Sequence, residues 1–229
     1  MLDGLATPWF DRALGRLEPR RGDRLLSMEP RLQDVVALRA AIGGEGELTV
    51  VLSDEELAEE LAARELPQLR IYAHQIDGDE RFGTFDAALV APHVGPAARP
   101  ECYAQLLRGN LRLGGRFVVD LPGVEMVPDL HAAWLETGWD EERLAPMSGP
   151  AEAELLDALR EAGLRNVDGA MSSHILQAPS AAELVAAYAA DLGLEDGDVV
   201  ELAHGVVRRR QESGPLEVLV HRTQASGQR

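Results

Sequence analysis

Six histidines, a single cysteine and an acidic run are the side chains in this 229-residue sequence with the most chemistry to offer. His93 lies in Pro92-His93-Val94-Gly95-Pro96, a loop that follows an apolar strand, and is the candidate general base or substrate contact; the plainer role for a loop histidine is to cap a backbone carbonyl. His131, in a tryptophan-bearing segment, ranks second. His74, His174, His204 and His221 lack metal-ligand spacing, and CxxC and HExxH are absent, so no metal is expected. Cys102 opens a helix beside Glu101, whose charge disfavours a thiolate, so it reads as a packed thiol. The acidic residues at 54, 55, 56, 59 and 60 suit the positive end of a helix dipole better than they suit a cation. Arg208-Arg209-Arg210, the one basic run, reads in the same way as a solvated helix end.

All 22 basic residues are arginines, which excludes Schiff-base chemistry and the P-loop lysine; GxSxG is missing too. A formal net charge of −17 opposes contact with nucleic acid or an anionic membrane, so the expected partner is a small molecule or a protein. One cysteine permits no internal disulfide and fits a reducing compartment. Neither a leader peptide nor an apolar run long enough to cross a bilayer is evident, and a cytoplasmic location is expected.

Strands alternating with helices must position these groups. Pro8 to Leu17 predicts a helix with Phe10, Ala13, Leu14 and Leu17 on one face, and Arg24 to Met28 predicts a strand. Arg31 to Ile42 predicts a helix stopped by Gly43-Gly44. The run LTVVLS after Glu47 is apolar enough for a strand covered on both faces, and Ser53 with Glu56 reads as a capping box for the next helix. Leu69 to Ala73, Phe85 to Ala91 and Arg116 to Leu121 are further strands, with a helix over 99–108 between the last two.

The second half departs from simple alternation. Residues 123–150, with Trp134 and Trp139, read equally as a lid over a cleft or as an excursion that packs its own aromatics. Pro150 to Ala162 predicts a helix and Leu164 to Gln177 a strand; a helical excursion over 180–212 follows, opened by Ser180 with Glu183. Glu217 to His221 closes the fold as a strand, and the polar tail 224–229 is expected to be disordered. The pattern predicts a single α/β domain over 1–229, a mostly parallel twisted sheet with helices on both faces, and ligands beyond the carboxyl ends of the strands.

The order of these elements, with the local runs PWFDRALGRLEPRRGDRLL, SDEELAEELA, FDAALVA and LRLGGRFVVDLPG, resembles the class I S-adenosylmethionine-dependent methyltransferase family over almost the whole chain. The resemblance implies a Rossmann-like methyltransferase fold ending in a reversed strand, a role for Leu216 to His221, and S-adenosylmethionine as cofactor. Carried over position by position, the acidic residue and glycine-rich loop after the first strand fall on Ser27 and on Glu29, Arg31 and Gln33. The ribose carboxylate falls on Val51, with Asp54 one turn further on, and the adenine partner near His74 or Gln75, with Asp77 beyond. Ala91, at the end of the fourth strand, closes the set.

Side chains where the family places glycine imply a degenerate member. Two functions follow. One is a binding or scaffolding pseudoenzyme with weak or lost methyl transfer, as a homodimer or as a heterodimer with an active methyltransferase. The other is an active enzyme that methylates a small molecule through a non-standard cofactor loop.

Overall fold

Leu25 and Leu26, neighbours in strand β1 (Arg24–Met28), are both fully buried because they point to opposite faces of a sheet that helices cover on each side. The computed structural model describes residues 8–95, 99–211 and 214–229. Its other strands are β2 (Glu47–Leu52), β3 (Leu69–Ala73), β4 (Phe85–Val90), β5 (Leu111–Pro122), β6 (Arg165–Ala178) and β7 (Leu216–Gln228). They form one seven-stranded sheet in the order β3-β2-β1-β4-β5-β7-β6. The first five run parallel, and β7 is antiparallel to both β5 and β6. The expected sheet with a reversed last strand is therefore what the chain forms.

Helices α1 (Pro8–Leu17), α2 (Leu32–Ile42) and α3 (Glu55–Ala62) bury Phe10, Leu38 and Leu61 on one face. On the other face lie α4 (Pro100–Asn110) and α6 (Glu152–Glu161), which bury Tyr103, Leu107, Leu155 and Leu159. A third cluster gathers α5 (Pro128–Thr137), α7 (Ala181–Ala186), α8 (Asp196–Arg210) and a 3-10 segment (Glu141–Met147) over β6 and β7. Trp134 is fully buried there, packs edge-on against Trp139 at 5.0 Å, and donates its indole N–H to the carbonyl of Asp140. Both tryptophans of the 123–150 segment thus pack into this cluster, while Pro146 of the same segment covers the loop after β4.

Three expectations are corrected. The tail does not disorder at residue 224: β7 continues to Gln228, held by β5 on one side and β6 on the other. Its first polar residue is drawn inside, since Gln224 is buried and donates to the Asp120 carboxylate at 2.8 Å. Ser53 is not the cap of α3; Asp54 is, accepting the N–H of Leu57 at 3.0 Å, which shifts the cap by one residue. The helix opened by Ser180 is regular only to Ala186 and continues as turns. Residues 1–7, where a leader would begin, together with Pro96 of the loop and residue 212 of the excursion, lie outside the described residues.

Candidate functional site

The carboxyl ends of β1, β2 and β4 converge on one side of the sheet, and the loops leaving them carry most of the predicted positions. Glu29, the first residue after β1, is in the left-handed region at φ 55°, a conformation that costs a side-chain-bearing residue roughly 1–2 kcal/mol. Its backbone N–H donates to the Val51 carbonyl at 2.9 Å, and its carboxylate accepts the N–H of Ser53 at 2.9 Å. Glu29 therefore spans from the end of β1 to the end of β2. Partial burial pushes its carboxyl above the usual carboxylate range, against the lowering effect of the Ser53 hydrogen bonds. Arg31 precedes α2 and pairs with Asp34 at 2.7 Å.

The remaining positions are placed less uniformly. Ser27 lies inside β1, fully buried, and its hydroxyl has no hydrogen-bond partner among the described residues. Val51 is buried among Leu26, Met28 and Val90. Gln75 is exposed after β3 and donates to the Ser53 carbonyl at 3.4 Å. Ala91 is buried, its N–H donating to the Met28 carbonyl. His131, on α5, lines neither cavity described below.

His93 is held by groups far away in sequence. Its ring stacks between Trp9, at 5.9 Å and 22°, and Tyr188, at 5.7 Å and 5°. Both ring nitrogens are shut from solvent and have no hydrogen-bond partner among the described residues. Burial drives the imidazole pKa well below its usual value, and the positive charges of Arg31 and Arg222 add to this, so the ring is neutral. Burial likewise raises the Tyr188 phenol and the Asp191 carboxyl.

Arg222 anchors the loop from below. It donates to the carbonyls of Pro92 at 2.7 Å and His93 at 3.1 Å, pairs with Asp120 at 2.6 Å with both side chains wholly buried, and lies 5.6 Å from the Trp9 ring. From above, the Gly95 N–H donates to the Pro146 carbonyl, and a Cβ at Gly95 would stand 2.6 Å from Pro146 Cα.

Two cavities open over this floor. One of about 360 Å³ is lined by Glu29, Arg31, Ser53, His93, Pro146 and Asp191. A second of about 440 Å³ shares Arg31, Asp54, Leu57, His93 and Asp191 with it. The structure thus brings Glu29, Asp54 and His93 together around the cavities and leaves Ser27, Val51 and Ala91 in the core. Sequence reasoning missed Trp9, Asp120, Tyr188, Asp191 and Arg222, whose places at the cavities come from tertiary contacts rather than from local spacing. Among the described residues no group of three or more His, Cys, Asp or Glu could hold a metal ion, and no helix is long and apolar enough to cross a membrane.

No protein-family model matches the sequence, and no curated protein matches it. Solved structures do. The YcgJ protein of Bacillus subtilis superposes with a TM-score of 0.64 at 11% identity, over 96% of this chain and 98% of that one. Geranyl diphosphate C-methyltransferase of Streptomyces coelicolor, solved with Mg²⁺, geranyl diphosphate and S-adenosylhomocysteine, gives 0.57 at 12% identity over 97% of this chain and 78% of that one. The fold is that of the class I methyltransferases. A Haloferax volcanii chain in complex with the Trm112 methyltransferase activator shares this methyltransferase fold, with a TM-score of 0.54 at 18% identity over 96% of this chain and 90% of that one.

Proposed function

We propose that this chain is a methyltransferase-fold protein that does not use S-adenosylmethionine and acts by binding a protein or a different small molecule. The observation that carries the reading is Glu29, whose side chain crosses from β1 to Ser53 where the fold brings bare backbone against the cofactor's amino-acid portion. The ribose would meet Val51, which is apolar and buried, and the adenine would meet Gln75, which is exposed and engaged with Ser53. A buried polar group left without a partner costs roughly 1–3 kcal/mol, so the losses compound. On this reading the residues present do not fit the cofactor, and no methyl-transfer step is assigned to them. The Haloferax complex supports a protein as the partner, because there the same fold is assembled with an activator.

A second reading, an active methyltransferase of small molecules, draws on one observation. The backbone at Glu29 keeps the left-handed turn that glycine would adopt, and about 360 Å³ remains open beside it. Thermal denaturation separates the two. With about 1 mM S-adenosylhomocysteine the wild-type midpoint stays unchanged on the first reading, because a ligand stabilises only what it binds. A rise in the wild-type midpoint would overturn that reading in favour of the second.

A further inference from the structure

β6 is the edge strand of the sheet, and its edge between Met171 and Pro179 lacks the usual protection against pairing, since the bulge of this strand lies at Arg165–Asp168. In a chain of net charge −17, the stretch from Gly169 to Ala182 contains no Asp, Glu, Lys or Arg, and β6 itself contains no proline. β5 ends its pairing with β7 at Arg222 and His221 still bonds to Gly123 and Met126, so residues 216–220 of β7 pair with β6 alone as a two-stranded ribbon. One face of the ribbon is covered, with Leu176, Ala178, Leu216, Val218 and Val220 buried under α5, α7 and α8. On the other, Ile175 and its cross-strand neighbour Leu219 stand 56% and 49% exposed, with Met171 at 57%.

The edge also has defined ends. The Met171 N–H points outward, because it donates to the Glu152 carboxylate at 3.2 Å. By the alternation of an antiparallel ladder, Ser173, Ile175 and Gln177 then turn their N–H and C=O groups outward as well. Pro179, which has no N–H, closes the far side. Met171 and Pro179 are equidistant from Ile175, so the open window is centred on Ile175 and matches itself under a two-fold rotation.

We propose that β6 is the self-association edge of this protein: two copies pair their β6 strands antiparallel about Ile175, with Ser173 of one opposite Gln177 of the other. A symmetric interface uses the same patch twice, which this window satisfies. The charge distribution selects a second copy as the occupant. Two molecules that each carry −17 repel least where formal charge is sparse, and the two carboxylates bordering this window are already engaged, Glu152 by the Met171 N–H and Glu217 by the Gln177 amide, whereas a basic partner would be drawn to the acidic helices instead.

Sedimentation velocity across roughly 5 to 200 µM tests the proposal, since a dimer of this kind responds to concentration by mass action. Wild type is expected to move from monomer to dimer, and Ile175→Lys, a change at an exposed position, to raise the dissociation constant at least about tenfold. Val36→Lys, at an equally exposed apolar residue on α2, leaves the dimer intact. Hydrogen exchange of the Ser173, Ile175 and Gln177 amides slows with concentration in the wild type. A wild type that stays monomeric throughout, a dimer that survives Ile175→Lys, or amides that exchange equally fast at both ends of the range would each overturn it.

Discussion

The Glu29 carboxylate accepts the backbone N–H of Ser53 at 2.9 Å, so a side chain ties β1 to β2 at the turn where the resemblance to class I methyltransferases implies glycine. Strain and the tie act in opposite directions. Glu29→Gly relieves the left-handed backbone and the partly buried carboxyl while losing one hydrogen bond, and its unfolding free energy should stay within about 1 kcal/mol of wild type. Glu29→Ala loses the same bond but keeps the strain, and should be less stable than Glu29→Gly by about 1 kcal/mol in urea unfolding. Burial raises the folded pKa of Glu29, so the wild type loses stability as pH rises from the ordinary carboxylate range through that raised value. Both variants lack that loss.

His93 gives a pH signature of the opposite sign. Its folded pKa lies well below 6.5, so under acid conditions the unfolded chain takes up a proton that the folded chain refuses. Stability from this group is complete above the unfolded pKa and falls as pH drops below it. His93→Phe keeps an aromatic ring between Trp9 and Tyr188 and removes the titration. The stability difference between about pH 7.5 and pH 5.5 should shrink relative to wild type, by at most the roughly 1.4 kcal/mol that uptake of one proton by the unfolded chain allows over that range. Urea titrations at the two pH values measure it, and an unchanged difference would mean that the imidazole is accessible to protons.

The Asp120–Arg222 pair is the keystone under the His93 loop. Removing either partner leaves the other charge buried, and Arg222→Ala also releases the Pro92 and His93 carbonyls. Asp120→Ala and Arg222→Ala should each cost about 3–5 kcal/mol, with the double variant costing much less than their sum. A double-mutant cycle by chemical denaturation checks this; additive losses would show that the two side chains act independently.

Where local pattern decides structure, the chain was legible. Pro8–Leu17, Arg24–Met28 and Asp196–Arg210 are bounded by proline, charge and apolar spacing, and form the elements those signals predict. The end of β7 was not, because Gln224, Ser226, Gly227 and Gln228 look like a solvated tail and acquire strand structure only from neighbours on both sides. At the site, Glu29 and His93 were visible from their places after β1 and β4. Ser27 became a cofactor position only through the resemblance, since it lies inside the strand predicted over Arg24 to Met28, two residues before Glu29. The Trp9–His93–Tyr188 stack joins three distant parts of the chain, and tertiary contacts of that kind leave no local periodicity to read.

Isothermal titration of the wild-type protein with S-adenosylhomocysteine tests most directly whether Glu29 closes the cofactor loop. No binding heat is expected at ligand concentrations up to about 1 mM, a free energy weaker than about −4 kcal/mol. Micromolar binding, roughly −8 kcal/mol, would contradict it.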